Sequence, residues 1–351
     1  MALMRLFCLF CLVTVASASG FAQSTASIPK VSLVSEEFIF ENPPFASCHA
    51  STIVEVAPGH LIAAWFGGTD EGNKDVGIWL SQKENGEWTS PTLMAEGIID
   101  ADTRHPCWNP VLFKAREGKL FLFYKVGPSP REWWGMVRTS TNNGKSWSQP
   151  ERLPDGILGP IKNKPIQLAD GTILSPTSTE TKTSWKAHIE RSKDLGKTWD
   201  IIPVDPQTDL DVIQGSILAY PNQKLQMLCR SKQDHVAEVW SEDGGKTWGK
   251  LALTDLLNPN SGTDAVTLRN GWQMLVHNPL TRGKQWDNGR QKLVVSVSQD
   301  GKKWSEVHVL EDKPRGEFSY PAIVQAADGK AHITYTWNRR NVRHVVLDMG
   351  K

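Results

Sequence analysis

Cysteine is sparse in this chain: five residues, of which Cys8 and Cys11 fall inside the first apolar run, leaving Cys48, Cys107 and Cys229. An odd, scattered set of three makes neither a disulfide framework nor a Cys/His metal spacing, so these side chains are expected to be buried as small apolar groups. Net charge is equally lacking. With 39 basic against 38 acidic residues the formal charge is +1, which excludes a general attraction to nucleic acid or membrane surfaces and leaves any anionic ligand to a local cluster. The chain has no phosphate-binding Gly-rich loop, no Gly-x-Ser-x-Gly elbow and no basic helix, so nucleotide chemistry, serine-hydrolase chemistry and nucleic-acid binding find no support. No cofactor and no metal is expected.

Long apolar runs are missing too. The first residues, Met1 to Arg5, precede an apolar run from Leu6 to Ala16 and small residues through Ala22, the layout of a secretory signal peptide. That run is shorter than the roughly 18 residues a spanning helix needs, and no later stretch approaches this length, so no membrane anchor is expected. Residues 1–22 are therefore read as a signal peptide and 23–351 as one domain, secreted or periplasmic.

What the chain has in excess is tryptophan, 15 residues against only 4 Tyr, which calls for a repeated structural use or a sugar-stacking surface. A repeat supplies the first. Ser192-Lys-Asp-Leu-Gly-Lys-Thr-Trp199 and Ser241-Glu-Asp-Gly-Gly-Lys-Thr-Trp248 match Ser-x-Asp-x-Gly-x-x-Trp fully, and Ser140 to Trp147 matches with Asn142 for Asp. Ser298 to Trp304 is one residue short, and Ser81 to Trp88 carries its glycine one place late. Successive serines lie 49–59 residues apart, the size of a four-stranded unit with loops. In such a turn Asp or Asn accepts backbone N–H bonds and Gly takes the positive φ that other residues avoid. Period-2 apolar runs such as Lys119–Tyr124, Leu225–Cys229 and Lys292–Val297 read as strands, and no amphipathic helix competes with them. These features predict an all-β, six-bladed β-propeller. Five blades carry the turn, and the sixth closes the ring by pairing a strand near Val31 to Phe40 with strands near Ala331 to Leu347.

Turn repeats on a propeller resemble the sialidase-like superfamily, whose repeats are called Asp-boxes, over essentially the whole mature chain. Cys107-Trp-Asn-Pro-Val-Leu, Gly159-Pro-Ile-Lys-Asn-Lys-Pro, Leu257-Asn-Pro-Asn-Ser-Gly and Phe318-Ser-Tyr-Pro-Ala are similar to its BNR/Asp-box branch. The resemblance implies three arginines that grip a sugar carboxylate, an Asp acid/base and a Tyr nucleophile assisted by a Glu. A phenol suits an anomeric carbon that bears a carboxylate, because an anionic nucleophile would be repelled, and guanidinium forks bind that carboxylate bidentately. On this basis Arg230 and Arg290 match two of the arginines, Tyr320 the nucleophile, and the loop Phe66–Asp75 the acid/base, with Asp70 and Asp75 not separable by spacing.

The departures are as informative. Cys48-His49-Ala50 stands where the family has Arg-Ile-Pro, and Gln214 stands where the assisting Glu belongs; Gln cannot act as a base. Arg104-His105, Lys162, Lys164, Arg339-Arg340 and Arg343 can supply the missing positive charge, and Glu180 or Glu317 a carboxylate. His49, on a predicted central strand, is a second acid/base candidate with a pKa near neutrality. Trp108, with its neighbour Asn109, and Trp133, Trp134, Trp286 and Trp337 lie outside the turns, where indoles can stack on sugar faces. The expected function is a secreted exo-sialidase-like glycoside hydrolase that removes a terminal acidic sugar from a glycan. The alternatives are a polysaccharide lyase or rhamnosidase-type propeller enzyme acting on uronate-containing glycans, and a non-catalytic carbohydrate-binding propeller.

Overall fold

The repeated turn assembles as its residues dictate. In the computed structural model, which describes residues 27–285 and 287–350, Asp194 Oδ1 accepts from the backbone N–H groups of Lys197 at 3.1 Å and Thr198 at 2.9 Å, while Oδ2 takes the Thr198 hydroxyl at 2.6 Å. Ser192 Oγ accepts from Gly196 N at 2.8 Å, and Gly196 sits at φ +83°. The Ser241 turn repeats this cage, with Asp243 Oδ1 at 3.0 Å from Lys246 N and Thr247 N. The turn at Ser298 is one residue shorter yet keeps the cage through Asp300, 2.8 Å from both Lys302 N and Lys303 N. At Ser81 the structure differs from the expected box. Asn85 (φ 56°) and Gly86 (φ 92°) instead close a two-residue hairpin between Gly77–Glu84 and Glu87–Trp88, the turn that an Asn-Gly pair favours between twisted strands.

Every strand pair in the structure is antiparallel, the described residues contain no α-helix, and the strands form six sheets. Blade 1 begins with Ser47–Ala57, blade 2 with Cys107–Lys114, blade 3 with Ile166–Gln167, blade 4 with Val212–Ala219, blade 5 with Asp264–Thr267 and blade 6 with Phe318–Gln325. The ring shuts where Ser32–Phe38 pairs with Asn341–Asp348 as the outermost strand of blade 6, as the sequence predicts. Joining the chain's two ends within one sheet removes the open edge on which such a sheet would otherwise aggregate.

The core lies between the blades. Trp199 packs on Phe121 and Phe123 of blade 2, Trp304 on Leu218 and Leu228 of blade 4, and Trp88 on Ala322 of blade 6. Each of these turn tryptophans thus covers the preceding blade, which explains why the residue recurs. The three remaining cysteines are free and buried.

Two glycines at similar φ test this packing. Gly245 (φ +81°) faces Leu174 Cδ1 of the preceding blade, which an added Cβ would approach to 2.5 Å, whereas Gly59 (φ +75°) has nothing within 4 Å. Gly59→Ala should cost about 1 kcal/mol, for backbone strain alone, and Gly245→Ala about 1–3 kcal/mol more, for overpacking. Chemical denaturation of both variants checks this; equal losses would contradict the packing role.

Candidate functional site

Four inner strands carry the same irregularity. Their pairing slips between His49 and Thr52, Trp108 and Val111, Ile213 and Ser216, and Ser319 and Ala322. At each slip one residue has left-handed backbone: Ala50 (φ 55°), Asn109 (φ 35°), Gln214 (φ 58°) and Tyr320 (φ 52°). Such bulges re-aim a side chain and are held only where the surroundings over-determine them. Three of the four, Asn109, Gln214 and Tyr320, line one cavity of about 160 Å³.

The cavity's centre is Tyr320, which is 9 % exposed. Its hydroxyl oxygen accepts from Arg230 Nη1 at 2.5 Å, and the guanidinium carbons of Arg230 and Arg290 lie 5.8 and 5.9 Å from its ring centroid. Both arginines rest on the Asn258–Gly262 segment. Asn260 Oδ1 accepts from Arg230 Nε at 2.7 Å, and its carbonyl from Arg290 Nη2 at 3.3 Å. Gly262 gives way to the site itself, since a Cβ there would lie 3.0 Å from Lys162 Cε and 3.2 Å from Tyr320 Cδ2.

A third guanidinium arrives from the turn after Ala331–Trp337. Arg339 donates through Nε to Glu317 Oε2 at 2.7 Å, and Arg290 donates through Nη1 to Glu317 Oε1 at 2.8 Å. Burial would raise the Glu317 carboxyl, but the two flanking guanidiniums outweigh it and hold the group below the usual carboxylate range. The Arg339 carbonyl accepts from Cys48 N at 2.7 Å. Arg339 therefore stands beside the strand position that lacks an arginine. Of the other candidates in that segment, Arg340 is exposed and Arg343 pairs with Glu36 at 2.9 Å, outside the cavity.

Several expected site residues have other employment. Asp70 and Asp75 are exposed and do not line the cavity. Asp75 Oδ2 accepts from Thr69 N at 2.8 Å and Thr69 Oγ1 at 2.7 Å, and Asp70 Oδ1 caps Glu71 N at 2.9 Å, so both serve the turn. The carboxylate that this loop sends into the cavity is Glu71, which ion-pairs with Arg339. Arg104 pairs with Glu96 at 2.9 Å. Lys162, 3 % exposed, donates to Asn163 Oδ1 at 2.8 Å, to the Thr263 carbonyl at 3.0 Å and to the Pro321 carbonyl, and burial pushes its ammonium down to about 7. Lys164 pairs with Asp264 at 2.8 Å. These two lysines brace the backbone under Tyr320 rather than reach a ligand.

His49 lies against Tyr320, ring centroids 4.1 Å apart, with Nδ1 2.9 Å from Thr336 Oγ1. Burial first, and then the nearby Arg339, Arg290, Arg230 and Lys162, hold it well below the usual imidazole value. It is therefore held well below the near-neutral range expected from sequence. Trp108 and Trp133 wall the cavity and meet edge-on at 6.1 Å. Trp134 packs under Arg152 at 5.2 Å, and Trp337 packs on Phe38 at 5.3 Å. Trp286 and the leader 1–22 lie outside the described residues.

Sequence reasoning missed Glu71, Trp185 and the role of Asn260. Trp185 lines the cavity with Arg230 5.3 Å and Lys232 4.3 Å over its ring. The quoted Asn258–Gly262 segment already held the signal for Asn260, because two asparagines around a proline before glycine mark a turn that presents side-chain oxygens.

Known proteins agree with this architecture. The family model described as a BNR repeat-like domain matches residues 59–333. The anhydrosialidase of Macrobdella decora is 24% identical over 240 residues, which cover 59% of this chain and 30% of that protein, so the match spans under a third of the relative's length. A Dyadobacter fermentans protein of unknown function superposes with TM-score 0.74 at 18% identity, covering 92% of this chain and 100% of that one. The K499G mutant of the NanB sialidase of Streptococcus pneumoniae superposes with TM-score 0.70 at 13% identity, covering 89% of this chain and 70% of that one.

Lys162→Met would keep the volume but leave the Thr263 and Pro321 carbonyls without their donor. A loss of roughly 3 kcal/mol is expected in urea unfolding; a loss under about 1 kcal/mol would contradict the bracing role.

Proposed function

From the premise that the chain belongs to the BNR repeat-like family and is a sialidase-like BNR repeat protein, we propose that it is an exported glycoside hydrolase that removes a terminal acidic sugar from glycans. The observation that carries this reading is the placement of Arg230 and Arg290 over Tyr320, whose oxygen takes an Arg230 N–H at 2.5 Å, with Arg339 joined to Arg290 through Glu317. Arg230 is held at the cavity by the neutral side chains of Asn260, Gln214 and Tyr320, so a sugar carboxylate entering there meets a guanidinium fork that a neutral sugar would not engage as strongly. The Arg230 hydrogen bond fixes the Tyr320 hydroxyl oxygen at the cavity, where a nucleophile has to stand.

The walls support the substrate class. Trp108, Trp133 and Trp185 give the small cavity apolar faces beside its charged floor, the mixture that a sugar ring with one carboxylate presents in return. A cavity as small as this, about 160 Å³, suits the end of a glycan rather than its middle. The leader read at residues 1–22 makes export part of the same proposal.

The test is turnover of a panel of sialosides and uronic-acid-capped oligosaccharides by the purified chain and by Tyr320→Phe. The wild type should release the terminal acid from one class, with product lacking ultraviolet absorption from a new double bond, and Tyr320→Phe should lose at least about 100-fold in kcat. Unsaturated product would mark a lyase. Binding without turnover, unchanged in the variant, would mark a carbohydrate-binding propeller.

A further inference from the structure

The cavity keeps a nucleophile and its arginines but has lost the carboxylates that the family's positions would provide, since position 214 is Gln and Asp70 and Asp75 face solvent. Two other carboxylates line it. Glu71 comes from the loop after His60–Gly68 in blade 1, and Glu180 ends the strand Ile173–Glu180 in blade 3. They reach the same small space from blades that are not adjacent in the ring, so no local turn requirement explains both.

Their surroundings are opposite. Glu71 forms an ion pair with Arg339. The Glu180 side chain makes no hydrogen bond or ion pair with another described residue, and its backbone pairs with Trp185 across the hairpin. The groups facing it are Arg230 at the end of its strand in blade 4, Lys232 just beyond, Arg131 from blade 2 and Glu71 from blade 1. Burial raises its carboxyl above the ordinary value; the three cations oppose this only in part, and Glu71 adds to it. A carboxyl raised by burial beside an ion-paired carboxylate in one cavity is the usual arrangement of an acid beside a base.

We propose that Glu180 and Glu71 divide the proton transfers of this cavity, Glu180 as the acid that protonates the leaving oxygen and Glu71 as the base that takes the phenolic proton of Tyr320. The assignment rests on the hydrolase reading above. In the first step the Glu180 proton goes to the glycosidic oxygen as its bond to the anomeric carbon breaks, the electron pair leaving with that oxygen. A lone pair of Tyr320 Oη forms the new bond to carbon, and the Tyr320 proton passes to Glu71. In the second step Glu180, now a carboxylate, takes a proton from water. The water oxygen bonds to the anomeric carbon, the Tyr320 C–O bond breaks towards oxygen, and Glu71 returns the proton to Tyr320. Nothing beyond the glycoside and one water is consumed, and the configuration at carbon is retained.

Leaving-group chemistry tests this directly. Wild type, Glu180→Gln and Glu71→Gln are assayed on sialyllactose and nitrophenyl sialoside, and on a glucuronyl-capped oligosaccharide and nitrophenyl glucuronide. A nitrophenolate leaves without a proton, so Glu180→Gln should lose at least about 100-fold in kcat/KM on the oligosaccharide of the active pair but under about 10-fold on its nitrophenyl partner. Glu71→Gln should lose at least about 100-fold on both members. The wild-type pH profile needs no variant: its alkaline limb should be present for the oligosaccharide and absent for the nitrophenyl glycoside. Equal losses of Glu180→Gln on both members, no loss at all, or an alkaline limb shared by both would overturn the assignment while leaving the hydrolase reading intact. A folded wild type that turns over neither pair would remove that reading, and the assignment with it.

Discussion

Lys162 reaches from the loop before blade 3 across the ring and donates to the carbonyls of Thr263 in blade 5 and Pro321 in blade 6. Close by, Asp264 Oδ1 accepts from Ser216 Oγ of blade 4 at 2.9 Å, while Oδ2 accepts from Lys164 Nζ at 2.8 Å and from Ile323 N of blade 6 at 2.9 Å. A propeller leaves its inner strands unpaired on the axial side, and buried backbone groups there must find partners. Lys162 and Asp264 supply them. They also lock Pro321 and Ile323 on either side of Ala322, which fixes the strand just beyond Tyr320 and so sustains its left-handed backbone at φ 52°. The reactive geometry at the mouth of the ring is thus a consequence of how its centre is satisfied.

The same arrangement accounts for the site's charge. Arg290 and Glu317 are both nearly inaccessible, and burial lowers the Arg290 guanidinium despite its carboxylate partner. Burying such ions costs several kcal/mol each unless they are paired and hydrogen-bonded. Glu317 pairs with two guanidiniums at once, so the cluster of Arg230, Arg290, Arg339 and Lys162 stays richer in positive charge than its local carboxylates offset. Arg230 and Arg290 direct that charge at the space beside Tyr320, where it favours an anionic sugar.

The fold was legible because the turn carries its own chemistry. Ser192, Asp194 and Gly196 do locally what the letters say, and their spacing counts blades without any knowledge of packing. Ring closure by the segment near Val31 was legible for the same reason, as a strand without a turn of its own. The site was legible only in part. Arg230, Arg290, Tyr320, Trp108 and Asn109 fall on inner strands or strand ends, where the repeat sets their position. Asp70, Asp75 and Glu71 share one tight loop, and which of them turns inward depends on the Thr69 and Arg339 contacts, which spacing does not encode. Lys162 and Lys164 read as free charge until the acceptors of distant blades are in view, and His49 read as titratable until its burial beside three arginines is.

The central claim is that Tyr320, held by Arg230 on a clamped bulge, forms a bond to an acidic sugar. The most direct measurement is covalent trapping with fluorinated sialosyl and glucuronosyl fluorides, followed by peptide mass spectrometry. The account predicts one sugar adduct per chain, from one of the two reagents, on the peptide containing Tyr320. Intact protein carrying no adduct from either reagent, or an adduct on Glu71, Glu180 or another residue, would contradict it.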